Sequence, residues 1–518
     1  MDSIRIQRLR CLSDTGDIDI KPITILVGQN SSGKSSFLRV FPLLRQSVES
    51  RTVGPILWNG RLVDFGTYKD AHQKNSENGI LFSFKFQFDS RTINIQLKVL
   101  EDQEKQTTIT DELIIKDFDS SISISFDQQN NKIKKFYVNS LNILELGDRN
   151  YRFDKNVNKN FLPSIYEEKI DKDLEIEKIY KQSNFKRIFF LLKQEVKGLN
   201  AGNTSNETID NMIESFQIGD SQFMLENIKH NTYGKKTWQK NTSNLTINSP
   251  EFQKLRDLII AKSVPEMLLN FDILLGMFAK NISYMGPVRA TAERYYRSQD
   301  LAVDEVDYRG NNLAMFLRNL TSEEKVNWQN WIYDNFQVKP DIETAGGNIS
   351  LKIYTNNSHE SFNITDTGFG YSQILPIITQ LWFLCEFKPN LSQQHSLFFL
   401  NYYMYGFEYQ QPQPLTFAIE QPELHLHPRL QAILTETFVK AIKIARKKGI
   451  NLRLILETHS NTLINKLGEL VAEEKISNDD INIVIFEPSE ESGNAKVRTA
   501  KFDNEGYLSE DWPLGFLS

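Results

Sequence analysis

Residues Gly28-Gln29-Asn30-Ser31-Ser32-Gly33-Lys34-Ser35 fit the spacing G-x-x-x-x-G-K-[ST] without a gap. Each residue type suits the binding of a phosphate chain. Gly28 and Gly33 let the backbone turn where a side chain would collide with phosphate, and successive N–H groups then point at anionic oxygens. Lys34 supplies a compact cation for β- and γ-phosphates, and Ser35 offers a hydroxyl to Mg²⁺. Asn30, Ser31, Ser32 and Ser36 complete the polar turn.

Three further clusters carry chemistry. "LTFAIEQPELHLHP" is an apolar run ending in Glu420, followed by Gln421, Glu423, His425 and His427. A carboxylate at the tip of a buried strand is costly unless it serves a cation or a hydrogen-bond network. Beside a phosphate loop that cation is Mg²⁺, which makes Ser35 and Glu420 the candidate metal ligands. "RLILETHS" ends in Glu457-Thr458-His459-Ser460, and His459 can donate to a γ-phosphate oxygen and so report on it. "DTGFGYSQILPIITQL" places Gly368, Gly370 and Ser372 before an apolar helix, with Ser372 as the expected N-cap. Zinc held by Glu423, His425 and His427 is an alternative, but their i, i+2 spacing matches no established zinc pattern.

The elements that must position these groups are legible in outline. "ITILVG" reads as a buried strand before the phosphate turn, and "FLRVFPLLRQSV" as a helix after it. "ILFSFKFQF", "TINIQLKVL" and "SISISF" alternate apolar with polar and predict strands, giving a β-rich lobe over 90–150. Residues 150–280 read as a helical insertion and a candidate partner-binding region. "HPRLQAILTETFVKAIKIARKKG" is an amphipathic helix with Pro428 in its first turn. The ATPase-like pieces therefore occupy 1–90 and 280–470, and 470–518 reads as a small C-terminal domain. Seven aromatic residues between Phe398 and Tyr409 lie in the segment 386–414, which reads as a small packed insertion or a partner-binding surface.

The bulk properties exclude several classes. At 518 residues the chain is long enough for two to four domain-sized units. A net charge of −6 argues against a surface coated for non-specific nucleic-acid binding. Two cysteines, Cys11 and Cys385, support no disulfide framework and point to a reducing compartment. The first twenty residues hold no apolar run of signal-peptide length, and no run of eighteen apolar residues occurs, so a cytoplasmic protein without membrane partners is expected.

The order of phosphate loop, glycine-serine helix start, "IEQPELHLHP" and "ETHS" resembles the head of ABC-type ATPases. Within these it is similar to the branch containing the overcoming-lysogenisation-defect (OLD) proteins, RecF and SMC heads. "YMGPVRATAERYY", "YRGNN" and the ending "AKFDNEGYLSEDWPLGFLS" resemble a bacterial subgroup with a short C-terminal domain, often found in anti-phage defence operons. The resemblance implies an α/β fold, an ABC-type P-loop ATPase head with a mixed central sheet, a β-rich N-terminal lobe and a largely helical insertion. It implies ATP and Mg²⁺ as cofactors, with Lys34 and Ser35 on phosphate and metal and Glu420 in the metal-side acidic role. His459 becomes the γ-phosphate switch. Ser372, with Gly370, becomes the signature that reaches the nucleotide of a second protomer, giving an ATP-sandwiched homodimer.

Two departures shape the expected function. OLD proteins carry a nuclease domain, and the stretch after Ser460 is too short for one, so any nuclease is expected in an effector chain of the same operon. Many ABC heads have glutamate where this chain has Gln421, and a glutamine can orient water but has no basicity to take its proton. Glu423 becomes the base only if the turn brings it within reach. The reading is a slowly hydrolysing, dimeric ATP switch or sensor in anti-phage defence, with a phage protein or DNA as its trigger. A RecF-like DNA-maintenance ATPase and a non-hydrolysing ATP-locked scaffold are the alternatives.

Overall fold

Two sheets of different character meet around the phosphate loop. The computed structural model describes residues 1–88, 91–102, 104–146, 150–154, 160–168, 185–289, 292–355, 361–367, 369–386, 413–488 and 494–508. The aromatic cluster within 386–414, Gly368 and the last ten residues lie outside this set.

The central sheet runs in the order Ile282–Met285, Leu415–Glu420, Leu452–Glu457, Ile23–Gly28, Ile481–Pro488, Ala495–Ala500. The first five strands are parallel and the edge strand Ala495–Ala500 is antiparallel, so the sheet is mixed. Every residue of Ile23–Gly28 and of Leu415–Glu420 is buried. Continuous apolar runs of this kind require cover on both faces. Leu26, Ala418, Ile455 and Val484 enter one core with Phe37 and Phe41. Ile25, Val27, Ile419 and Leu456 enter the other, with Trp382, Leu434, Phe438 and Leu467.

The N-terminal lobe is an antiparallel sheet wider than the 90–150 reading. Its main path begins at Ser164–Glu167 and passes through Lys132–Val138, Thr107–Asp117, Arg91–Asp102 and Ile80–Phe88 to Ser3–Leu9. In Arg91–Asp102 the alternate residues Ile93, Ile95, Leu97 and Val99 are buried, which is the period-2 pattern of a sheet covered on one face. Ser3–Leu9 joins by pairing with Ile80–Phe88, a contact between distant segments that no local pattern announces.

The C-terminal segment also departs from expectation. Ile481–Pro488 pairs in parallel with the phosphate-loop strand, and Ala495–Ala500 closes the edge, so 481–500 belongs to the head sheet and forms no separate C-terminal domain. "INIVIF" is apolar except for Asn482 and is buried throughout, and burying both of its faces demands a place inside a sheet. A further antiparallel sheet, built from Tyr296–Arg297, Val338–Ala345, Asn348–Thr355 and Ser361–Asn363, had no clear signal in the sequence. Cys11 and Cys385 are free. Among the described residues no helix is long and apolar enough to cross a membrane.

Helices Lys186–Leu199, Asn206–Ser215, Ser221–Lys229, Lys236–Thr242 and Pro250–Lys280 form the insertion. Asp272 anchors the last of them to the β-lobe: its Oδ1 accepts from the Phe161 and Leu162 N–H groups, both at 2.7 Å, and Oδ2 from Asn160 Nδ2 at 3.0 Å. Burial outweighs these bonds and pushes the carboxyl up to about 6. A carboxylic acid raised on folding contributes stability below its unfolded value, and that contribution is lost as pH rises through the folded value. Between pH 4 and 7, Asp272→Asn is therefore expected to gain about 3 kcal/mol relative to wild type. Urea titrations of both proteins across this range check it, and a constant difference would refute it.

Candidate functional site: a phosphate loop beside two buried carboxylates

The turn after Ile23–Gly28 has the backbone its sequence demands. Gly28 and Gly33 stand at φ +139° and +103°, and Ser31 at +62°. A Cβ on Gly28 would lie 2.0 Å from the Phe486 carbonyl oxygen, and one on Gly33 would lie 2.7 Å from Leu12 Cδ2. Gln29, Asn30 and Ser31 are exposed, whereas Ser32, Gly33, Lys34 and Ser36 are buried. Lys34 Nζ donates to the Gly28 and Gln29 carbonyls at 2.9 and 2.6 Å, so the loop curls around the ammonium. Burial lowers the Lys34 pKa, with Glu457 pulling in the opposite sense.

The expected single helix after the loop is two helices, Lys34–Leu38 and Val40–Glu49, meeting at Arg39. Pro42 explains the break, since it has no N–H to give to the Leu38 carbonyl one turn back. Arg39 thereby reaches Glu420. Its Nε donates to Oε1 at 2.7 Å and its Nη2 to Oε2 at 2.8 Å. Tyr284 hydroxyl donates to the same Oε1 at 2.7 Å. Burial and the Glu420 charge push the Tyr284 pKa well above its ordinary value, so it stays a donor.

Glu457 stands opposite Glu420 on the next strand, which itself pairs with the phosphate-loop strand. Ser35 Oγ donates to Glu457 Oε1 at 2.6 Å, while Oε2 is buried with no hydrogen-bond partner among the described residues. Burial is the main cause that raises the Glu457 carboxyl to about 7, and the neighbouring Glu420 charge adds to it.

The turn after Glu420 is held from several sides. Gln421 adopts φ +43°, unusual for a residue with a Cβ. Its N–H donates to the Glu457 carbonyl at 2.8 Å. Arg289 Nη2 donates to the Glu420 and Gln421 carbonyls at 3.0 and 3.3 Å. Burial lowers the Arg289 pKa to about 10, and its Nε and Nη1 have no hydrogen-bond partner among the described residues. Glu423 Oε1 accepts from the His459 N–H at 2.7 Å, so this carboxyl ties two strand ends together, and burial raises its pKa. Burial also lowers the His459 pKa, and the Lys34 charge contributes in the same direction. His427 Nδ1 accepts from the Arg429 N–H at 3.3 Å as the cap of helix Pro428–Lys447.

Ser372 departs from its expected role. The helix begins at Phe369, so Ser372 lies in its first turn, and it is buried. The helix thus starts four residues early, shortly after the short turn Ile364–Asp366, which Asn363 caps. A Cβ on Gly370 would meet Leu430 Cδ1 at 3.3 Å and Leu426 Cδ2 at 3.9 Å, so Gly370 faces the helix of the "HLHP" segment.

The structure thus brings Gly28, Ser32, Gly33, Lys34, Ser35, Glu420, Gln421, Glu423 and His459 together around one end of the central sheet, and adds Arg39, Tyr284 and Glu457. Glu457 was readable as another strand-end acid. Arg39 and Tyr284 had no signal, because their role depends on a contact across the chain.

The AAA ATPase domain profile matches residues 1–464, most of the chain. The chain belongs to the AAA ATPase domain family. Within this family its parallel strand order, the loop between strand and helix, and the carboxylates on the neighbouring strands make it an α/β, ABC-type P-loop ATPase head. The AAA ATPase domain is similar to an SMC head bound to the C-winged helix domain of ScpA, at 8% identity and TM-score 0.29. It is similar to the SMC head domain from Thermotoga maritima, at 7% and 0.31, and to the recombination mediator protein RecF, at 11% and 0.26. Each comparison covers 96% of this chain and 97% of the other. The sequence matches none of the curated proteins.

The residues present fit a nucleoside triphosphate and a divalent cation. The phosphate turn curls around the buried Lys34 ammonium, and the Ser32 hydroxyl and Glu457 Oε2 are buried polar atoms without a hydrogen-bond partner among the described residues.

Proposed function

We propose that this AAA ATPase acts as a slow, ATP-held switch that pairs with a second copy of itself and controls a separate effector. The observation that supports slow turnover is how the acidic groups after Leu415–Ile419 are engaged. Glu420 is paired with Arg39 and Tyr284, Glu423 is tied to the His459 backbone, and the residue between them is the non-basic Gln421. Mg-ATP, when bound, supplies an electrophilic γ-phosphorus and a cation that offsets charge on the phosphates. In this reading Lys34 and the loop N–H groups orient that chain, and His459 donates to the terminal phosphate. Gln421 positions water without accepting its proton. Such a site holds its ligand longer than it consumes it.

The homodimer, through the signature-like Gly370 and Ser372, and the effector, a nuclease chain in an anti-phage setting, both rest on the sequence resemblance. Single-turnover ATP hydrolysis, with sizing under ATP, tests the switch. Wild type is expected to be slow, Gln421→Glu faster by about a hundredfold or more, and Glu423→Gln near wild type. Fast turnover by wild type that Glu423→Gln abolishes would make Glu423 the base and remove the brake. A protein that stays monomeric with saturating ATP would remove the dimeric part.

A further inference from the structure

We propose that Arg289 is a positioning residue for ATP hydrolysis: from outside the phosphate loop it fixes the backbone of Gln421, and so sets where the glutamine side chain holds water. This rests on the water-positioning reading of Gln421 above and deepens it.

Arg289 follows the edge strand Ile282–Met285, which pairs in parallel with Leu415–Glu420. The Gly286 N–H donates to the Tyr308 carbonyl at 2.8 Å and opens the loop between them. Val288 is then 73% exposed, whereas Arg289 turns inward and is only 3% exposed. One nitrogen, Nη2, meets two carbonyls in succession, Glu420 at 3.0 Å and Gln421 at 3.3 Å. These oxygens belong to the two peptide units that flank the Gln421 Cα. Because peptide planes are rigid, φ and ψ are the only soft angles between them. Holding both oxygens on one nitrogen therefore restrains both angles, and with them the direction in which the side chain leaves the backbone.

Gln421 needs such a restraint. Its φ of +43° is left-handed, a region that residues with a Cβ avoid. Pro422 follows, and a proline ring favours an extended conformation at the residue before it. Strain of this kind persists only where the surroundings over-determine it. Two backbone bonds contribute, from the Gln421 N–H to the Glu457 carbonyl at 2.8 Å and from the Leu424 N–H to the Gln421 carbonyl at 3.2 Å. Neither ties the Glu420 carbonyl to that of Gln421. Without the guanidinium the two oxygens lose the cation on which they converge, and the turn relaxes toward the extended form that Pro422 favours. Moving a group that holds the attacking water by about an ångström costs about a hundredfold in rate.

As a stabilising group alone, Arg289 is poorly provided. Its Nε and Nη1 are buried without a hydrogen-bond partner among the described residues. A buried charge so incompletely paired costs stability, and an apolar side chain of similar length is tolerated or stabilising in its place. A structural role and a positioning role therefore predict different results for Arg289→Met.

Single-turnover ATP hydrolysis, fluorescent-ATP-analogue binding and thermal unfolding would be measured for wild type, Arg289→Met, Gln421→Ala and the double variant. Arg289→Met is expected to melt no lower than wild type and to bind the analogue within about threefold of it, while the hydrolytic rate falls about tenfold to a hundredfold. Adding Arg289→Met to Gln421→Ala is expected to slow that protein by less than about twofold, because the side chain it aims is gone. Equal losses in the two backgrounds, or a wild-type rate in Arg289→Met, would overturn the inference and leave the Gln421 reading intact. A lowered melting temperature with parallel losses of binding and rate would make Arg289 a structural residue and overturn it too. A Gln421→Ala protein as fast as wild type would remove the Gln421 reading, and the inference with it. If Arg289→Met does not fold, Arg289→Lys keeps the charge but ends one bond short of Nη2. A rate loss there that disappears in the Gln421→Ala background supports the positioning role, and a loss equal in both backgrounds, or none, overturns it.

Discussion

Arg39→Ala should lower the stability of the protein by about 3–5 kcal/mol at neutral pH, the usual cost of leaving one member of a buried ion pair without its partner. Glu420 has a side chain only 2% exposed, whereas Arg39 is 31% exposed. The asymmetry makes the prediction directional. Removing the arginine strands a charge inside the protein, with Tyr284 hydroxyl still facing it. Removing the acid by Glu420→Gln instead leaves an arginine that can turn toward water, so that variant should lose less. The double variant Arg39→Ala, Glu420→Gln should recover most of the loss, because a neutral amide can still accept from Tyr284. Urea titration of the four proteins gives the coupling between the two residues directly. An Arg39→Ala protein within about 1 kcal/mol of wild type would mean the carboxyl takes up a proton or finds solvent, and the pair would lose its structural role.

Gly28→Ala should be at least as damaging and should also abolish nucleotide binding. The added methyl carbon would lie 2.0 Å from the Phe486 carbonyl oxygen, far inside contact distance. That oxygen belongs to a backbone, paired in register on the neighbouring strand, and it cannot swing away as a side chain would. The φ of +139° adds a second penalty, since an L-residue rarely adopts it. Steric conflict and backbone strain together are expected to cost more than about 3 kcal/mol. Gly198→Ala is the matched control. It lies near the end of helix Lys186–Leu199, nothing stands within 4 Å of its added carbon, and the substitution should gain up to about 1 kcal/mol. Thermal unfolding and fluorescent-nucleotide binding on both variants decide the matter. A stable Gly28→Ala protein that binds ATP normally would show that the loop has room the structure does not display.

The sequence determined the parts whose signals are local. A phosphate loop is eight contiguous residues whose spacing is itself the chemistry, so Gly28, Gly33, Lys34 and Ser35 were identified before any fold was known. The buried strands "ITILVG", "LTFAIE" and "LRLILE" announced themselves as short, mainly apolar runs, and the lobe strands as alternation. Tertiary structure alone decided who pairs with whom. That Ile481–Pro488 would lie beside the phosphate-loop strand, and close the head instead of forming a domain of its own, depends on sheet order. Strand order is set by burying both faces of every apolar run at once, and no window of sequence contains that condition. The site shows the same division most sharply. Glu420 and Glu457 are both acids at the ends of apolar strands, and sequence order favours the first as the metal-side group. Only the fold brings Arg39 and Tyr284 onto Glu420 and Ser35 onto Glu457, across separations of 136 to 422 residues. The charge that one carboxylate has already spent, and the oxygen that the other leaves buried without a partner among the described residues, are properties of contacts and are not encoded at either position alone.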